Sequence, residues 1–246
     1  MIARLTMKTR LDRLLVDRGL VESREKAQAL IMAGEVLLNG QKASKPGQSV
    51  DADAALEVLA RPPFVSRGGL KLAAALQHFA IDAAGKVCLD IGSSTGGFTD
   101  ALLQAGAARV HAVDVGAGQL AWSLRTDPRV RVHEGINARE LRAEEIGETA
   151  DILTCDVSFI SVTLILPAAV PLLQARGQMV ILIKPQFEVG KGQVGKGGIV
   201  RDPQLHQAAC DRVTGAVREF GFETSIMDSP IHGAEGNKEF LLYAHH

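Results

Sequence analysis

The sequence predicts an α/β fold, a mostly parallel sheet wrapped by helices, preceded by a small α+β module. Three observations lead there. From residue 87 onward, short apolar runs alternate with amphipathic segments, as in strands joined by crossover helices. The run Val87–Ile91 enters the Gly-rich stretch Gly92-Ser-Ser-Thr-Gly-Gly97 and then an amphipathic segment, the order of strand, tight turn and helix start. The charge is also uneven. Net charge is −1 over 246 residues, yet the first fifty carry nine Lys/Arg against five Asp/Glu.

Length and a 46% hydrophobic content allow one large domain and one small one. No segment has the length and apolarity of a membrane span, and the N-terminus lacks a signal-peptide core. The expectation is a cytoplasmic protein with no membrane association. The three cysteines, Cys88, Cys155 and Cys210, are scattered without metal-ligand spacing, so no metal site is expected. One Trp and one Tyr are too few for extensive base stacking.

In the N-terminal module, Leu11, Leu14 and Leu15 form a helical stripe, with Arg10, Arg13 and Arg18 off it. Ser23 reads as an N-cap for a second helix that runs to about Met32 and ends at Gly34. Val36–Leu38 reads as a strand, Asn39-Gly40 as a hairpin turn and Lys45-Pro46-Gly47 as another turn. The paired prolines of Arg61-Pro62-Pro63-Phe64-Val65 cannot continue a helix or a central strand and mark a linker. The expected domains are therefore 8–60 and 66–244, joined by 61–65.

In the larger module a helix opens at Ser66-Arg67-Gly-Gly-Leu-Lys71 and runs to about Phe79. Strands follow at 87–91, 109–113, 130–133, 151–155, 178–184, 222–228 and 239–244. Helices are expected at 98–105, 117–124, 137–146, 160–174 and 203–220. Ligands bind at the carboxyl ends of such strands, and four charged residues stand there: Asp90, Asp114, Asp156 and Lys184. Packing seldom places a charge at the end of an apolar strand.

The glycines, G-x-x-x-G-G, match neither the dinucleotide fingerprint nor a phosphate loop. An acid just before the first glycine would repel a pyrophosphate and suits a cationic cofactor. The pattern resembles the first motif of S-adenosylmethionine-dependent methyltransferases. That resemblance implies a Rossmann-like class I domain with a seven-stranded sheet and S-adenosyl-L-methionine as cofactor. Asp114 would hold the cofactor ribose, and Gly92, Ser94, Gly96 and Gly97 would make room beside the methionine. Asp90, Phe98, Asn137 and Asp156 complete the expected cofactor set. A nucleotide-dependent oxidoreductase is the alternative, disfavoured by the glycine spacing.

Lys184, after the run Met179–Ile183, reads as a partly desolvated lysine with a lowered pKa, able to accept a proton and oriented by Asp156. The position after the fourth strand lacks the Asn/Asp-Pro-Pro-aromatic run of amine methyltransferases. Cys155 is the sole thiol nearby, and strand alternation turns it away from Asp156 into the packing. What remains resembles the ribose 2′-O-methyltransferases with a Lys-Asp-Lys-Glu tetrad, matched here by Lys71, Asp156, Lys184 and Glu239. The N-terminal string L-D-x-x-L … S-R-x-x-A-x-x-x-I-x-x-G-x-V-x-x-N-G resembles the S-four type of RNA-binding domain.

Together these identify the chain as a member of the TlyA (haemolysin A) family of rRNA 2′-O-methyltransferases, with an FtsJ-like catalytic domain. That resemblance implies a cytidine in rRNA as target, with 23S rRNA favoured and 16S rRNA the alternative, and ribosomal RNA or a ribosomal subunit as partner. Arg10, Arg13, Arg24, Lys26 and Lys42 are then the natural phosphate contacts, joined by Arg67 and by Lys191 and Lys196 of the loop Phe187–Gly198. Oligomeric state is left open. A non-catalytic ribosome-assembly factor is the competing class, opposed by the intact tetrad. No segment suggests a pore, so direct lysis of membranes is not expected.

Overall fold

The computed structural model describes residues 8–59, 62–233 and 236–246, without the Lys191 side chain. Arg61, the start of the expected linker, lies outside the described residues, as does residue 60 at the end of the expected first domain. The chain divides into two compact units, Met1–Pro62 and Pro63–His246.

The first unit contains β1 (Lys8–Arg10), α1 (Leu11–Asp17), α2 (Arg24–Met32), β2 (Val36–Leu38), β3 (Gln41–Lys42), β4 (Ser49–Asp51) and β5 (Leu56–Val58). Ser23 caps α2, its hydroxyl accepting from the Lys26 N–H at 3.2 Å. Asn39 and Gly40 both take positive φ, 51° and 79°, as a two-residue hairpin turn between β2 and β3 requires. Leu11, Leu14 and Leu15 of α1 bury against Ala27, Leu30 and Ile31 of α2 and Val36 of β2. The sequence reading missed β1, β4 and β5, which are only three residues each and carry too little pattern to register.

The second unit runs α3 (Gly68–His78), β6 (Val87–Ile91), α4 (Gly97–Gln104), β7 (Arg109–Asp114), α5 (Trp122–Arg125), β8 (Val130–Glu134), α6 (Ala143–Ile146), β9 (Ala150–Cys155), α7 (Leu166–Ala169), β10 (Leu173–Ile183), α8 (Pro185–Glu188), α9 (Pro203–Arg218), β11 (Glu223–Asp228) and β12 (Phe240–His245). One seven-stranded sheet has the order β11-β12-β10-β9-β6-β7-β8. β12 is antiparallel to both neighbours, while β10, β9, β6, β7 and β8 pair in parallel. The sheet is buried on both faces. Leu89, Ile91, Leu153, Ile181 and Leu242 pack towards α7 and α9, whereas Cys88, Val110, Ile152, Val180 and Leu241 pack towards α3 and α4. Filling both faces is why the strands read as continuous apolar runs.

From β6 the chain moves outward to β7 and β8, then returns to place β9 on the other side of β6. The connections leaving β6 and β9 therefore run in opposite directions, which opens a crevice above their adjacent carboxyl ends.

Three expected helices are shorter than read. Residues 117–124 give only α5, because Gly118 (φ 73°) holds the preceding stretch out of helix. Residues 137–146 split at Leu141 and Arg142, both extended. Residues 160–174 break into turns because Pro167 and Pro171 each start a new turn rather than continue one. The released residues extend β10 back to Leu173, with a register shift before Gln178.

The start of α3 lies directly on the start of α4. A Cβ at Gly97 would fall 2.2 Å from Ser66 Oγ and 2.8 Å from the Gly69 nitrogen. Gly97→Ala is expected to destabilise the fold by about 1–3 kcal/mol through overpacking, despite alanine's better helix propensity. Denaturant unfolding checks this, and an unchanged midpoint would contradict the close approach.

Candidate active site

Two adjoining cavities open at the carboxyl ends of the central strands, of about 600 Å³ and about 400 Å³. They share Gly92, Ser94, Asp156, Ser158 and Phe159. The smaller continues past the end of β7 to Asp114, Ile136, Asn137 and Ile165. The larger is walled by α3, by Lys184 and the residues after it, and by Asn237 and Glu239.

The Gly-rich turn is held from below and from the side. Gly92 has φ 82°, and a Cβ there would sit 2.5 Å from the Asp156 carbonyl oxygen, so only glycine lets the two strand ends lie this close. Asp114 accepts from the Ser94 N–H at 2.8 Å and from the Gly116 N–H at 2.7 Å, which fixes its carboxylate at the rim of the smaller cavity. Asn137 lines the same cavity and caps a short turn, its side-chain oxygen accepting from the Arg139 N–H. Gly97 and the buried Phe98 line the larger cavity.

Two expected cofactor residues have a different place. Gly96 (φ 97°) lines neither cavity; a Cβ there would strike Leu124 and Leu120, so its smallness serves the packing of α5. Asp90 is fully buried and also lines neither cavity. Alternation along β6 turns its carboxylate towards α4, where Thr99 Oγ1 donates at 2.6 Å and Thr154 Oγ1, from the paired position on β9, at 2.9 Å. Asp90 thus braces the turn instead of meeting a cofactor's positive charge. Burial pushes its carboxyl up to about 6, with the two threonine hydroxyls opposing the shift.

The larger cavity brings together the four expected catalytic side chains as two ion pairs. Lys71 Nζ, on the buried side of α3, lies 2.5 Å from Glu239 Oε2 just before β12. Lys184 Nζ, at the end of β10, lies 2.6 Å from Asp156 Oδ1 and donates to Ser158 Oγ at 2.9 Å. All of these residues line the same cavity. Cys155 is instead buried in the sheet packing, and burial pushes its thiol well above the ordinary range, the opposite of an activated nucleophile.

The loop after Asp156 is pinned by Glu188 of α8. This buried carboxylate accepts from Ser161 Oγ at 2.6 Å and from the Val162 N–H at 2.9 Å. At the loop's tip Phe159 is 91% exposed and holds φ 67°, an uncommon strain for a bulky residue, with its ring 5.3 Å from that of Phe187.

In the N-terminal unit the expected RNA contacts fall into three groups. Arg10 and Arg24 converge on the buried Asp12, which Arg10 meets at 3.0 and 2.8 Å, Arg24 at 3.1 Å and Gln28 at 2.9 Å. Arg10 and Arg24 remain half exposed. Arg13 pairs with Asp17 and Lys26 with Glu22, each four residues away in the chain, at 3.5 and 2.9 Å. Lys42 stands exposed on β3. In the second unit Arg67 is exposed at the start of α3, on the larger cavity, and Lys196 is exposed in the Gly-rich loop; the Lys191 side chain lies outside the described residues.

Residues 64–246 match the model of FtsJ-like methyltransferases, and residues 9–56 match the S4 domain. The chain is 49% identical to the 16S/23S rRNA (cytidine-2′-O)-methyltransferase TlyA of Mycobacterium tuberculosis, over 96% of this chain and 89% of that protein. It is 38% identical to the 23S rRNA (cytidine-2′-O)-methyltransferase TlyA of Campylobacter jejuni, over 93% and 96%. A solved structure from Streptococcus thermophilus, provisionally designated a hemolysin, superposes with a TM-score of 0.74 at 44% identity, covering 97% of this chain and 88% of that one.

The chain belongs to the TlyA family of FtsJ-like methyltransferases.

This family membership joins the S4 domain to a methyltransferase sheet with β12 as its one antiparallel strand. Among the described residues no helix is long and apolar enough to cross a membrane, and no metal-ligand cluster occurs. Several residues that shape the TlyA-type site escaped the sequence reading. Ser158 lies only two residues past Asp156 and could have been suspected. Thr99, Thr154 and Glu188 read as ordinary polar positions until the fold brings them onto their partners. Asp12 could have been noticed as an acid set between the basic residues Arg10 and Arg13.

Asp90 also makes stability depend on pH. Its folded-state carboxyl, at about 6, binds a proton more tightly than the unfolded chain's at 3.8. Stability from this group is thus greatest below pH ~4 and is lost as pH rises to ~6. Asp90→Asn removes that loss, so its stability relative to the parent should improve between pH ~4 and ~7 by on the order of 2–3 kcal/mol. Urea unfolding across that range checks it; a pH-independent difference would contradict the assignment.

Proposed function

We propose that the chain methylates the ribose 2′-hydroxyl of a cytidine in ribosomal RNA, with S-adenosyl-L-methionine as methyl donor. The observation that carries the reading is the pairing of two lysines with two carboxylates in one cavity, beside a second cavity of cofactor character. The smaller cavity suits an adenosine. Val113, Ile136, Val157 and Ile165 supply apolar walls for a flat base, and Asp114 stands at the strand end where a ribose diol would be held. The close backbone approach at Gly92 leaves room for the methionine end. When bound, S-adenosylmethionine supplies a methyl group already activated by a positive sulfonium.

The protein's own task is then to place the hydroxyl and manage its proton. Lys184 orients the hydroxyl and steadies negative charge growing on its oxygen. Asp156 fixes that ammonium at 2.6 Å and is the adjacent base towards which the proton can pass. Lys71 and Glu239 hold the ribose within the same cavity. Phe159 offers an exposed ring face at the rim for a nucleobase. Arg10, Arg13, Arg24, Lys26 and Lys42 contact RNA phosphates, and Arg67, Lys191 and Lys196 extend that contact near the catalytic cavity. A protein with this task acts beside the ribosomal RNA of the cytoplasm. The 23S molecule is named for both curated relatives above, which supports it as the target.

Lys184→Ala is expected to lower turnover by at least about a hundred-fold while S-adenosylmethionine affinity, read by calorimetry, stays within a few-fold. Full residual activity would overturn the role of Lys184. Arg13→Gln with Lys26→Gln removes two exposed charges at little cost in stability. It should weaken RNA binding and flatten the dependence of log affinity on log salt by about 0.7–0.9 for each phosphate that is no longer neutralised. An unchanged slope would place the RNA elsewhere.

A further inference from the structure

The loop that follows β9 and the segment that follows β10 are fastened to each other along their length. Lys184 Nζ donates to Ser158 Oγ at 2.9 Å, the rings of Phe159 and Phe187 lie 5.3 Å apart, and the buried Glu188 carboxylate accepts from Ser161 Oγ and the Val162 N–H. At its near end the loop is held to β6, where the Asp156 N–H donates to the Ile91 carbonyl at 2.9 Å. Ser158 therefore stands on backbone fixed on both sides. Asp156 and Ser158 line both cavities, whereas Lys184 lines only the larger. Both partners of the ammonium thus lie on the border between the cavities, which a methyl group passing from one to the other must cross.

The two partners act on the ammonium differently. Asp156 Oδ1 lies 2.6 Å from Nζ, yet it has no hydrogen-bond partner among the described residues. The contact is close enough for strong Coulomb attraction but lies off the direction that a hydrogen bond needs. Such attraction holds the charge near the carboxylate and does not by itself fix how the ammonium is turned about its last carbon–nitrogen bond. Ser158 Oγ accepts from Nζ in hydrogen-bonding geometry, and that bond fixes the turn. An ammonium carries three donors. With one on Ser158 and the carboxylate at its side, another is left to face the cavity, and the Lys184 side chain remains 12% exposed.

We propose that Ser158 is a positioning residue for methyl transfer: its hydroxyl sets the direction of the Lys184 ammonium, so that a remaining N–H addresses the ribose 2′-oxygen. The proposal rests on the ribose 2′-O-methyltransferase reading and divides the work between the two partners of Lys184. Asp156 supplies the counter-charge and Ser158 supplies the direction. Ser158 acts through Lys184 and touches neither the methyl group nor the RNA. Loss of its hydroxyl leaves the charge in place but misdirects it. The cost then falls on the transfer step, where a small misplacement is expensive, and not on binding of cofactor or RNA.

The test uses the full chain, rRNA and S-adenosylmethionine, with kcat and the KM for RNA measured at saturating cofactor. Ser158→Ala should lower kcat by about ten-fold or more. Its KM for RNA and its calorimetric S-adenosylmethionine affinity should each stay within about two-fold of the unmodified chain, and the retained affinity reports an intact fold. A double-mutant cycle reads the coupling directly. In single-turnover measurements on a Lys184→Ala background, adding Ser158→Ala should change the rate by less than about two-fold, because the group it directs is gone. An unchanged kcat in Ser158→Ala, a loss confined to KM or to cofactor affinity, or losses that multiply in the double variant would each overturn the proposal. If the unmodified chain methylates no RNA, or methylates a base instead of the ribose, the 2′-O-methyltransferase reading itself falls and the proposal falls with it.

Discussion

An ammonium group taken out of water must meet a counter-charge at close range, and that requirement organises the catalytic face. Lys71 and Glu239 show it most clearly. Their side chains are only 10% and 2% exposed, they lie 168 residues apart, and they meet at 2.5 Å. Burying either alone would cost several kcal/mol. The pair therefore fastens the helix that precedes the first strand of the sheet to the last strand of the chain. The cavity they line exists only when the whole second unit is folded. Gly233 shows how tightly Glu239 is enclosed, since a Cβ there would lie 2.0 Å from Oε1. The second pair, Lys184–Asp156, sits on adjacent parallel strands and gives the same cavity a second held charge.

Sheet topology supplies the rest of the placement. The reversal of direction at β6 sends the connections after β6 and β9 opposite ways, and most polar groups of the two cavities are delivered by strand ends or the turns beside them, with Arg67 and Lys71 added from α3. Alternation within β6 then divides labour between neighbours. Leu89 and Ile91 fill one face, and Asp90 points to the other, where it holds Thr99 and Thr154 under the Gly-rich turn. A similar arrangement recurs in the first unit, where the buried Asp12 gathers Arg10, Arg24 and Gln28. In both units a buried carboxylate fixes the element that carries the candidate functional groups.

Much of this could be read from the residues. Charged residues that end apolar strands marked Asp114, Asp156 and Lys184, because packing has no use for a charge there. The glycine spacing pointed away from pyrophosphate binding. The sequence was less informative where tertiary contacts decide. Asp90 looked like a cofactor contact because its position is next to the turn, but strand alternation, not sequence proximity, sets where its carboxylate points. Gly96 looked like backbone room for a ligand and instead makes way for Leu124. The three overlong helices failed at Gly118, at the extended Leu141 and Arg142, and at Pro167 and Pro171, local breakers that the apolar periodicity masked.

The most direct test of the central claim is the chemical identity of the product. Labelled methyl from S-adenosylmethionine is transferred to ribosomal subunits and to naked rRNA by the full chain, and the labelled nucleotide is isolated after alkaline hydrolysis. A methyl on the ribose 2′-oxygen removes the nucleophile that alkali needs, so the account predicts an alkali-stable dinucleotide containing 2′-O-methylcytidine. Label released as a methylated base on an alkali-labile mononucleotide, or no label in any RNA despite bound cofactor, would contradict it.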